Sequence, residues 1–244
     1  MDAISASAAS GMRARMESLE MLANNLANVE TGGFKADREF FSLYTGADAT
    51  ADPQTGDILT VPVVQSHWTD FAQGNFLTTT NPLDLAIDGD GLFSVQTPSG
   101  VRYTRNGNFK ISAAGVLTTA DGNSLRAQDG GAITVDPGTP VEVLSDGTVQ
   151  QAGQPVGQLE LASFDGKSMD KFGANYFVPM EGAKAKPATG TVVQGKLEQS
   201  NVGPAESSVR LVAIMRQFEM LQKAMNIGNE LNREAIEQVA RVSS

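Results

Sequence analysis

Three aspartates, Asp84, Asp88 and Asp90, crowd into the stretch "DLAIDGDGLF" and are the side chains best placed to do chemistry. Two nearby carboxyl groups can act as general acid and base in a glycosidase, and several together can bind Ca²⁺. The calcium hypothesis fails on spacing. With Asp88 as the first ligand, Leu92 stands at the fifth position and Ser99 at the twelfth, where oxygen ligands and a glutamate are needed. Because Asp and Gly are typical of tight turns, we interpret the stretch as a hairpin turn.

The single histidine, His67, stands beside Trp68 and could act as a general base. A catalytic role needs a nucleophile in a matching context, and the chain has no G-x-S-x-G, P-loop or HExxH motif. The chain also has no cysteine, which excludes disulfides, thiolate metal sites and cysteine nucleophiles. We therefore predict no catalytic, cofactor-binding or metal-binding residue.

The stretch "TRNGNF" contains two good hydrogen-bond donors, Arg105 and Asn106, which could contact a sugar or a nucleotide. Asn106 is followed by Gly107, however, and this pair is a strong turn signal between strands. We interpret the stretch as a turn.

The elements that would position such residues begin with a long N-terminal helix. Apolar residues recur in steps of three and four, as in a coiled-coil seam, and Gly32-Gly33 provides a helix stop. These features predict one helix of about 27 residues. The seam positions are Ser5, Ala8, Met12, Arg15, Leu19, Leu22, Leu26 and Val29.

A second long helix is predicted at the C-terminal end. Pro204 suits the first helical position, and Glu206 in the first turn is favoured by the helix dipole. Its seam again follows steps of three and four. The positions are Leu211, Ile214, Phe218, Leu221, Met225, Gly228, Asn232, Ala235, Val239 and Val242.

Between the helices the pattern changes to short segments rich in β-branched residues, separated by turn sequences such as "PSG", "ADGN" and "PGTP". This pattern predicts an α+β protein, in which the two terminal helices pair as a coiled coil around a central antiparallel β-rich domain. The predicted segments are an N-terminal helix at 1–35, an extended connector at 36–80, the β domain at 81–180, a return connector at 181–203 and a C-terminal helix at 204–244.

The net charge of −10 is concentrated in the middle of the 244-residue chain. Residues 1–35 carry three basic and four acidic groups, and residues 205–244 carry five of each. The absence of clustered Lys and Arg argues against nucleic-acid binding. The start of the chain lacks the pattern of a cleavable secretory signal, and no apolar run approaches the ~20 residues that would span a bilayer. We therefore expect no membrane insertion.

Three stretches resemble the flagellar basal-body rod proteins. "MESLEMLANNLANVETGGFK" is similar to the family's N-terminal signature, "PLDLAIDGDGLFSVQTPSGVRYTRNGNFKISAAGVLTTADG" to its central β segment, and "LEQSNVGPAESSVRLVAIMRQFEM" to its C-terminal segment. Gly32 departs from the pattern, because the family usually has proline there. The residues that match the N-terminal signature are Asn24, Asn25, Leu26, Ala27, Asn28, Thr31, Gly33, Phe34 and Lys35.

The resemblance implies a structural subunit of the flagellar rod that is exported without a cleavable signal through the flagellar type III apparatus. It implies location in the basal body across the periplasm, transmission of torque, and assembly with itself and with other axial proteins through the terminal helices, with the β domain facing outward. Within the family, "RQFEMLQKAM" is more similar to proximal than to distal rod proteins. The residues expected to support assembly are Met12, Leu19, Leu22, Asn24, Asn25, Leu26, Asn28, Val29, Phe34, Leu211, Ile214, Phe218, Leu221 and Met225.

Two alternatives stay open at this point. The first is a distal rod protein or another axial protein of the hook and basal body. The second, from a different class, is a secreted β-rich binding module or carbohydrate-active enzyme that uses Asp84, Asp88 or Asp90.

Overall fold

The computed structural model of the chain describes residues 3–45, 60–173 and 175–242. The two predicted helices are present as α1 (Ala3–Ala27) and α2 (Pro204–Val242). Helix α2 begins at Pro204 and carries Glu206 in its first turn, as the sequence predicts. In the described part of the chain, neither helix has the length and hydropathy needed to cross a membrane.

Between the helices the described residues form short strands and one 3-10 helix, Gly166–Ser168. The strands are β1 (Asp37–Thr45), β2 (Thr60–Thr69), β3 (Phe76–Thr78), β4 (Leu85–Asp88), β5 (Leu92–Thr97), β6 (Gly100–Thr104), β7 (Phe109–Ile111), β8 (Leu117–Thr119), β9 (Ser124–Leu125), β10 (Val141–Val143), β11 (Thr148–Gln151), β12 (Gln154–Gln158), β13 (Leu161–Ser163), β14 (Met169–Phe172), β15 (Tyr176–Pro179), β16 (Lys186–Pro187), β17 (Thr191–Gln194) and β18 (Lys196–Glu198).

The strands pair in several antiparallel sheets, which confirms the β-rich central domain. The largest sheet has the order β14-β15-β6-β5-β9-β8-β7, with β13 paired to β5 and β16 paired to β13. Strands β10, β11 and β12 form a second sheet, and β17-β4, β18-β3 and β1-β2 form two-stranded sheets. The predicted "PSG" turn joins β5 to β6 in a hairpin, in which Thr97 pairs with Gly100.

The largest apolar core of the described residues lies among these sheets. Phe93 and Phe109 meet edge to face with ring centroids 5.1 Å apart, a favourable aromatic arrangement. Burial alternates along strands such as β8, β10 and β11, which makes their β pattern visible in the sequence, whereas β4 and β5 are buried at consecutive positions. The core comprises Leu85, Ile87, Phe93, Phe109, Leu117, Leu125, Ala127, Ile133, Val135, Val141, Val143, Val149, Leu159 and Val192.

The expectation of a hairpin at "DGDG" is wrong. Strand β4 pairs with β17, whereas β5 pairs with β6, β9 and β13, so the turn connects two different sheets. The return connector contacts this turn through a backbone hydrogen bond, in which the N–H of Gly190 donates to the carbonyl of Asp90 at 2.8 Å. Residues 181–203 thus contain β16, β17 and β18, which add strands to the β domain rather than only returning the chain.

The chain forms two compact units. The helical unit consists of Met1–Leu26, Asp37–Trp68 and Pro204–Ser244, and the β unit of Ala27–Ala36 and Thr69–Gly203. Within the helical unit α1 approaches α2, since a Cβ added at Gly11 would lie 3.4 Å from Leu221 Cδ1. The coiled-coil geometry of this pairing stays a prediction.

Burial along α2 follows the predicted seam. The seam positions from 211 to 228 are buried or half-buried, and the residues between them are exposed. Along α1 the most buried row is instead made largely of small residues, one position away from several of the large apolar ones. This row is Gly11, Ala14, Ser18, Leu22 and Asn25.

Candidate functional site

Three charged side chains from distant parts of the chain meet inside the β unit. The Lys35 ammonium lies 2.6 Å from Glu198 Oε1, and the Arg105 guanidinium lies 3.1 Å from Glu198 Oε2. The side chains of Lys35 and Glu198 are 0% exposed, and that of Arg105 is 5% exposed. We name this group the buried triad.

Backbone groups add further hydrogen bonds to the buried triad. Glu198 Oε1 also accepts the N–H of Gly74 at 3.0 Å. Arg105 donates to the carbonyls of Ile87 at 3.0 Å and Gly89 at 2.6 Å. Buried charges persist only when they are paired and hydrogen-bonded, and the triad meets most of this requirement, although Arg105 Nε has no hydrogen-bond partner among the described residues.

Burial changes the pKa of Lys35. Removal from water lowers the pKa of the Lys35 ammonium, and Glu198, which raises it, only partly opposes this effect. Because the folded-state pKa is the lower one, the unfolded chain binds more protons in the pH range just below the usual lysine pKa. In that range this group makes stability rise with pH.

The "TGGFK" segment reaches the buried triad through an unusual backbone turn. Gly33 has a φ of +68°, in the left-handed region that favours glycine, and its N–H donates to the carbonyl of Glu198 at 2.8 Å. The following Phe34 is fully buried against Val202 and Ala36, and the Lys171 ammonium lies 4.1 Å from its ring centroid. The turn thus places an aromatic anchor and Lys35 side by side in the interior.

The asparagines of "NNLAN" have different surroundings. The side chain of Asn25 pairs with the backbone of Asp37, donating from Nδ2 to its carbonyl at 2.8 Å and accepting its N–H at 3.0 Å. Asn28 lies just after the end of α1, where its carbonyl accepts the N–H of Thr31 at 3.1 Å and its Oδ1 accepts the Thr31 hydroxyl at 3.1 Å. Asn24 is exposed.

A further asparagine, Asn201, joins separate backbone segments of the β unit. Its Oδ1 accepts the N–H of Ala36 at 2.7 Å, and its Nδ2 donates to the carbonyls of Asp70 at 2.7 Å and Ala72 at 3.0 Å. Lys35 Nζ donates to the same Ala72 carbonyl at 2.7 Å. Asn201 and the buried triad therefore share a partner.

Two of the three aspartates considered for catalysis, Asp84 and Asp90, form side-chain hydrogen bonds within the β unit. Asp84 is buried, and its Oδ1 accepts from the side-chain amides of Asn81 at 2.9 Å and Asn108 at 3.2 Å. Asp90 accepts the hydroxyl of Ser163. Among the described residues no group of three or more His, Cys, Asp or Glu side chains could hold a metal ion.

The stretch at Asn106 connects β6 to β7, which do not pair with each other, and within it Asn106 Oδ1 accepts the N–H of Asn108 at 3.1 Å. This local hydrogen bond to the second residue onward is the one by which asparagine favours turns. The neighbouring Arg105, considered from the sequence as a sugar or nucleotide donor, is instead buried in the triad. His67 is exposed on β2.

The structure distributes the predicted assembly residues over three degrees of burial. Leu22, Asn25, Phe34 and Ile214 are buried, and Asn24 is exposed. The half-buried ones are Met12, Leu19, Leu26, Asn28, Val29, Leu211, Phe218, Leu221 and Met225.

Sequence reasoning missed Glu198 and Asn201, and it did not assign a role to Lys35. Each of these residues lies within a stretch that carries the family resemblance, which is the only signal that could have singled them out. Charged residues beside strand-like patterns normally indicate a solvated face, and nothing local in "KLEQSN" distinguishes a buried glutamate from an exposed one.

Comparison with known families gives matches to three models. The model described as flagella basal body rod protein matches residues 6–35, that of the flagellar hook protein FlgE/F/G D1 domain matches 86–151, and that of the flagellar basal body rod FlgEFG protein C-terminal matches 193–238. Each match contains one member of the buried triad, respectively Lys35, Arg105 and Glu198.

Several relatives match over nearly their full length. The flagellar basal-body rod protein FlgF of Caulobacter vibrioides is 34% identical, with 92% of this chain and 93% of the relative covered. FlgG of the same organism is 32% identical, with 92% and 94% covered, and FlgF of Mesorhizobium japonicum is 31% identical, with 89% and 90% covered. The three convergent motifs and these full-length matches together show that the chain belongs to the family of flagellar basal-body rod proteins.

Proposed function

We propose that this chain is a structural subunit of the proximal part of the flagellar rod, which assembles with copies of itself and with other axial proteins through its terminal helices. Assembly of this kind transmits torque across the periplasm without any chemistry in the subunit. The observation that carries the proposal is a second apolar face on α2.

The two apolar faces of α2 lie on opposite sides of the helix. One is the seam that includes Leu211 and Ile214. The other face is formed by four exposed apolar residues. Because successive residues of a helix are rotated by about 100° around its axis, these four side chains project within about 40° of one another. These residues are Val209, Met220, Ile227 and Leu231, and they are 72%, 63%, 48% and 58% exposed.

An exposed apolar stripe of this length marks an interaction surface, because monomeric proteins rarely leave such a stripe in water. The polar residues around it carry equal numbers of both charges, since residues 205–244 contain five basic and five acidic groups. Such a surface is suited to neighbours with the same composition. A repeated contact between unlike surfaces of identical subunits builds a helical filament when its rotation does not close.

Substituting aspartate for Ile227 is expected to reduce incorporation into basal bodies by more than tenfold while leaving the monomer's thermal unfolding unchanged. Ile227 is half exposed in the isolated chain, so an added charge costs little there, but the same charge would be desolvated in a helix-to-helix interface. A tenfold loss of affinity for the neighbouring subunit requires a change of only about 1.4 kcal/mol in the free energy of binding. The measurement is the amount of subunit in purified basal bodies, together with swimming in a complemented deletion strain.

A matched control is Asn226→Asp, which adds the same charge at the neighbouring exposed position on a different side of α2. It should be incorporated like the unsubstituted chain. Normal incorporation of Ile227→Asp would show that this face of α2 is not used in assembly.

The proposal includes export through the flagellar type III apparatus to the basal body, on the basis of the family resemblance. In cells that lack a working export gate, the chain is expected to remain entirely in the cytoplasmic fraction. In cells with an intact gate it should be recovered in detergent-extracted basal bodies. Recovery outside the cytoplasm in the gate-deficient cells would point to another route.

The proximal position is supported by the segment from Arg216 to Met225, which is similar to that of proximal rod proteins. Labelling an epitope in an exposed loop of the β unit, such as that at Gly122, would locate the subunit in purified basal bodies by electron microscopy. Label near the cell-distal end would favour the distal rod alternative. The enzyme alternative does not apply, because the family is structural and Asp84 is committed to two asparagine side chains.

A further inference from the structure

The chain crosses the boundary of the β unit four times, and three of these crossings are close to Asn201 in the chain or in space. The chain leaves the β unit after Ala36, re-enters it at Thr69 and leaves it again after Gly203. Asn201 lies two residues before the last of these points. Its side chain binds Ala36 at the first of them, and Asp70 and Ala72 just after the second. We name residues 34–36, 69–72 and 200–203 the exit segments.

The geometry at Asn201 requires a carboxamide. The Ala36 N–H needs an acceptor, whereas the carbonyls of Asp70 and Ala72 need donors, and only Asn or Gln offers one oxygen acceptor and two N–H donors on one planar group. These partners also settle which end of the amide is oxygen. A carboxylate would keep the acceptor but lose both donors.

Backbone hydrogen bonds join the same segments directly. The N–H of Asp70 donates to the carbonyl of Ala36 at 2.8 Å, and the N–H of Asn201 donates to the carbonyl of Phe34 at 3.3 Å. The N–H of Ala72 donates to the Asp70 carboxylate at 3.0 Å. Every exit segment is therefore bonded to the other two, directly or through Asn201.

We propose that Asn201 is a positioning residue whose carboxamide holds the three exit segments together, so that a folded β unit fixes the points at which the chain leaves and re-enters it. The assembly part of this inference rests on the proposed function, whereas the local part does not. The partner of the Asn201 carboxamide is the chain's own backbone, and the residue contributes to rod assembly through those segments rather than by touching another subunit.

Hydrogen exchange on the full-length chain tests the local part. In Asn201→Asp the amides of Asp70 and Ala72 should exchange about tenfold faster, because their segment loses two hydrogen bonds, while the amide of Ala36 keeps its acceptor and its protection. In Asn201→Leu all three amides should exchange faster. Amides of the core strand residues Phe93 and Val95 should stay slow in both variants and so show that the β unit is folded.

The control is Gln199→Glu, which makes the same amide-to-acid change at an exposed position two residues away and should leave all of these amides unchanged. Unaltered exchange of Asp70 and Ala72 in Asn201→Asp would overturn the local part of the inference.

Incorporation into basal bodies tests the assembly part. Asn201→Asp should be incorporated at least fivefold less than Gln199→Glu. Faster exchange with normal incorporation would overturn the positioning role. If the unsubstituted chain itself is absent from basal bodies, the proposed function fails, and the exchange results still decide the role of Asn201 in the exit segments.

Discussion

Replacing Glu198 with glutamine is expected to lower the free energy of unfolding by about 3–5 kcal/mol, because it leaves Lys35 and Arg105 buried without their counter-charge. Glutamine has nearly the same shape, so the loss would report charge rather than packing. Glu198 is fully buried and bonds to both cations, at 2.6 Å and 3.1 Å. Chemical denaturation followed by circular dichroism would measure the change.

The Arg126–Glu160 pair provides a matched control in the same unit. Both of its side chains are 28% exposed, so solvent screens the pair, and Glu160→Gln should cost less than about 1 kcal/mol. Equal losses from the two substitutions would mean that burial of the triad does not matter. A near-neutral result for Glu198→Gln alone would mean that neither Lys35 nor Arg105 depends on it.

The same triad shows where sequence reasoning stops. Lys35 and Glu198 are 163 positions apart, and Arg105 and Glu198 are 93 apart. Periodicity, capping and turn preferences act over a few residues, so they can predict α2 from Pro204 onward and the alternation of the strands. They contain no information on which distant charges meet. The exit segments depend on the same kind of long-range contact.

The α1 seam shows a different limit. Large apolar residues such as Met12 and Leu19 predict the helix correctly, but the most buried row runs through Gly11, Ala14 and Ser18. Small residues allow a partner side chain to approach closely, as Leu221 does at Gly11, and hydrophobicity alone does not identify them. The residues of a helix that are most buried can therefore be offset by one position in the sequence from the residues with the largest apolar side chains.

The prediction of a hairpin at "DGDG" is wrong because the two strands that flank it belong to different sheets. Asp and Gly correctly indicated a tight turn, but turn chemistry does not determine whether the two flanking strands pair with each other. Here β17, which lies more than 100 residues further along the chain, pairs with β4. The local conformation was predictable, and the strand partner was not.

Replacing Gly33 with alanine is expected to cost more than about 3 kcal/mol or to prevent folding of the β unit, for two independent reasons. At a φ of +68° a side chain is strained by roughly 1 kcal/mol. An alanine Cβ would also lie 2.3 Å from the backbone nitrogen of Asn106, a separation that requires backbone movement beside the buried triad. Differential scanning calorimetry of the purified chain would measure the loss.

Gly32 is the matched control, because it differs from Gly33 in both respects. Its φ is not in the left-handed region, and an added Cβ would first meet the side-chain oxygen of Asn106 at 3.2 Å. Alanine there also reduces the conformational freedom of the unfolded chain, which offsets the tight contact, so Gly32→Ala should change stability by less than about 1 kcal/mol in either direction. If both substitutions were tolerated equally, the left-handed turn would not be what brings Phe34 and Lys35 into the interior. A large difference would show that glycine is needed at Gly33 but not at Gly32.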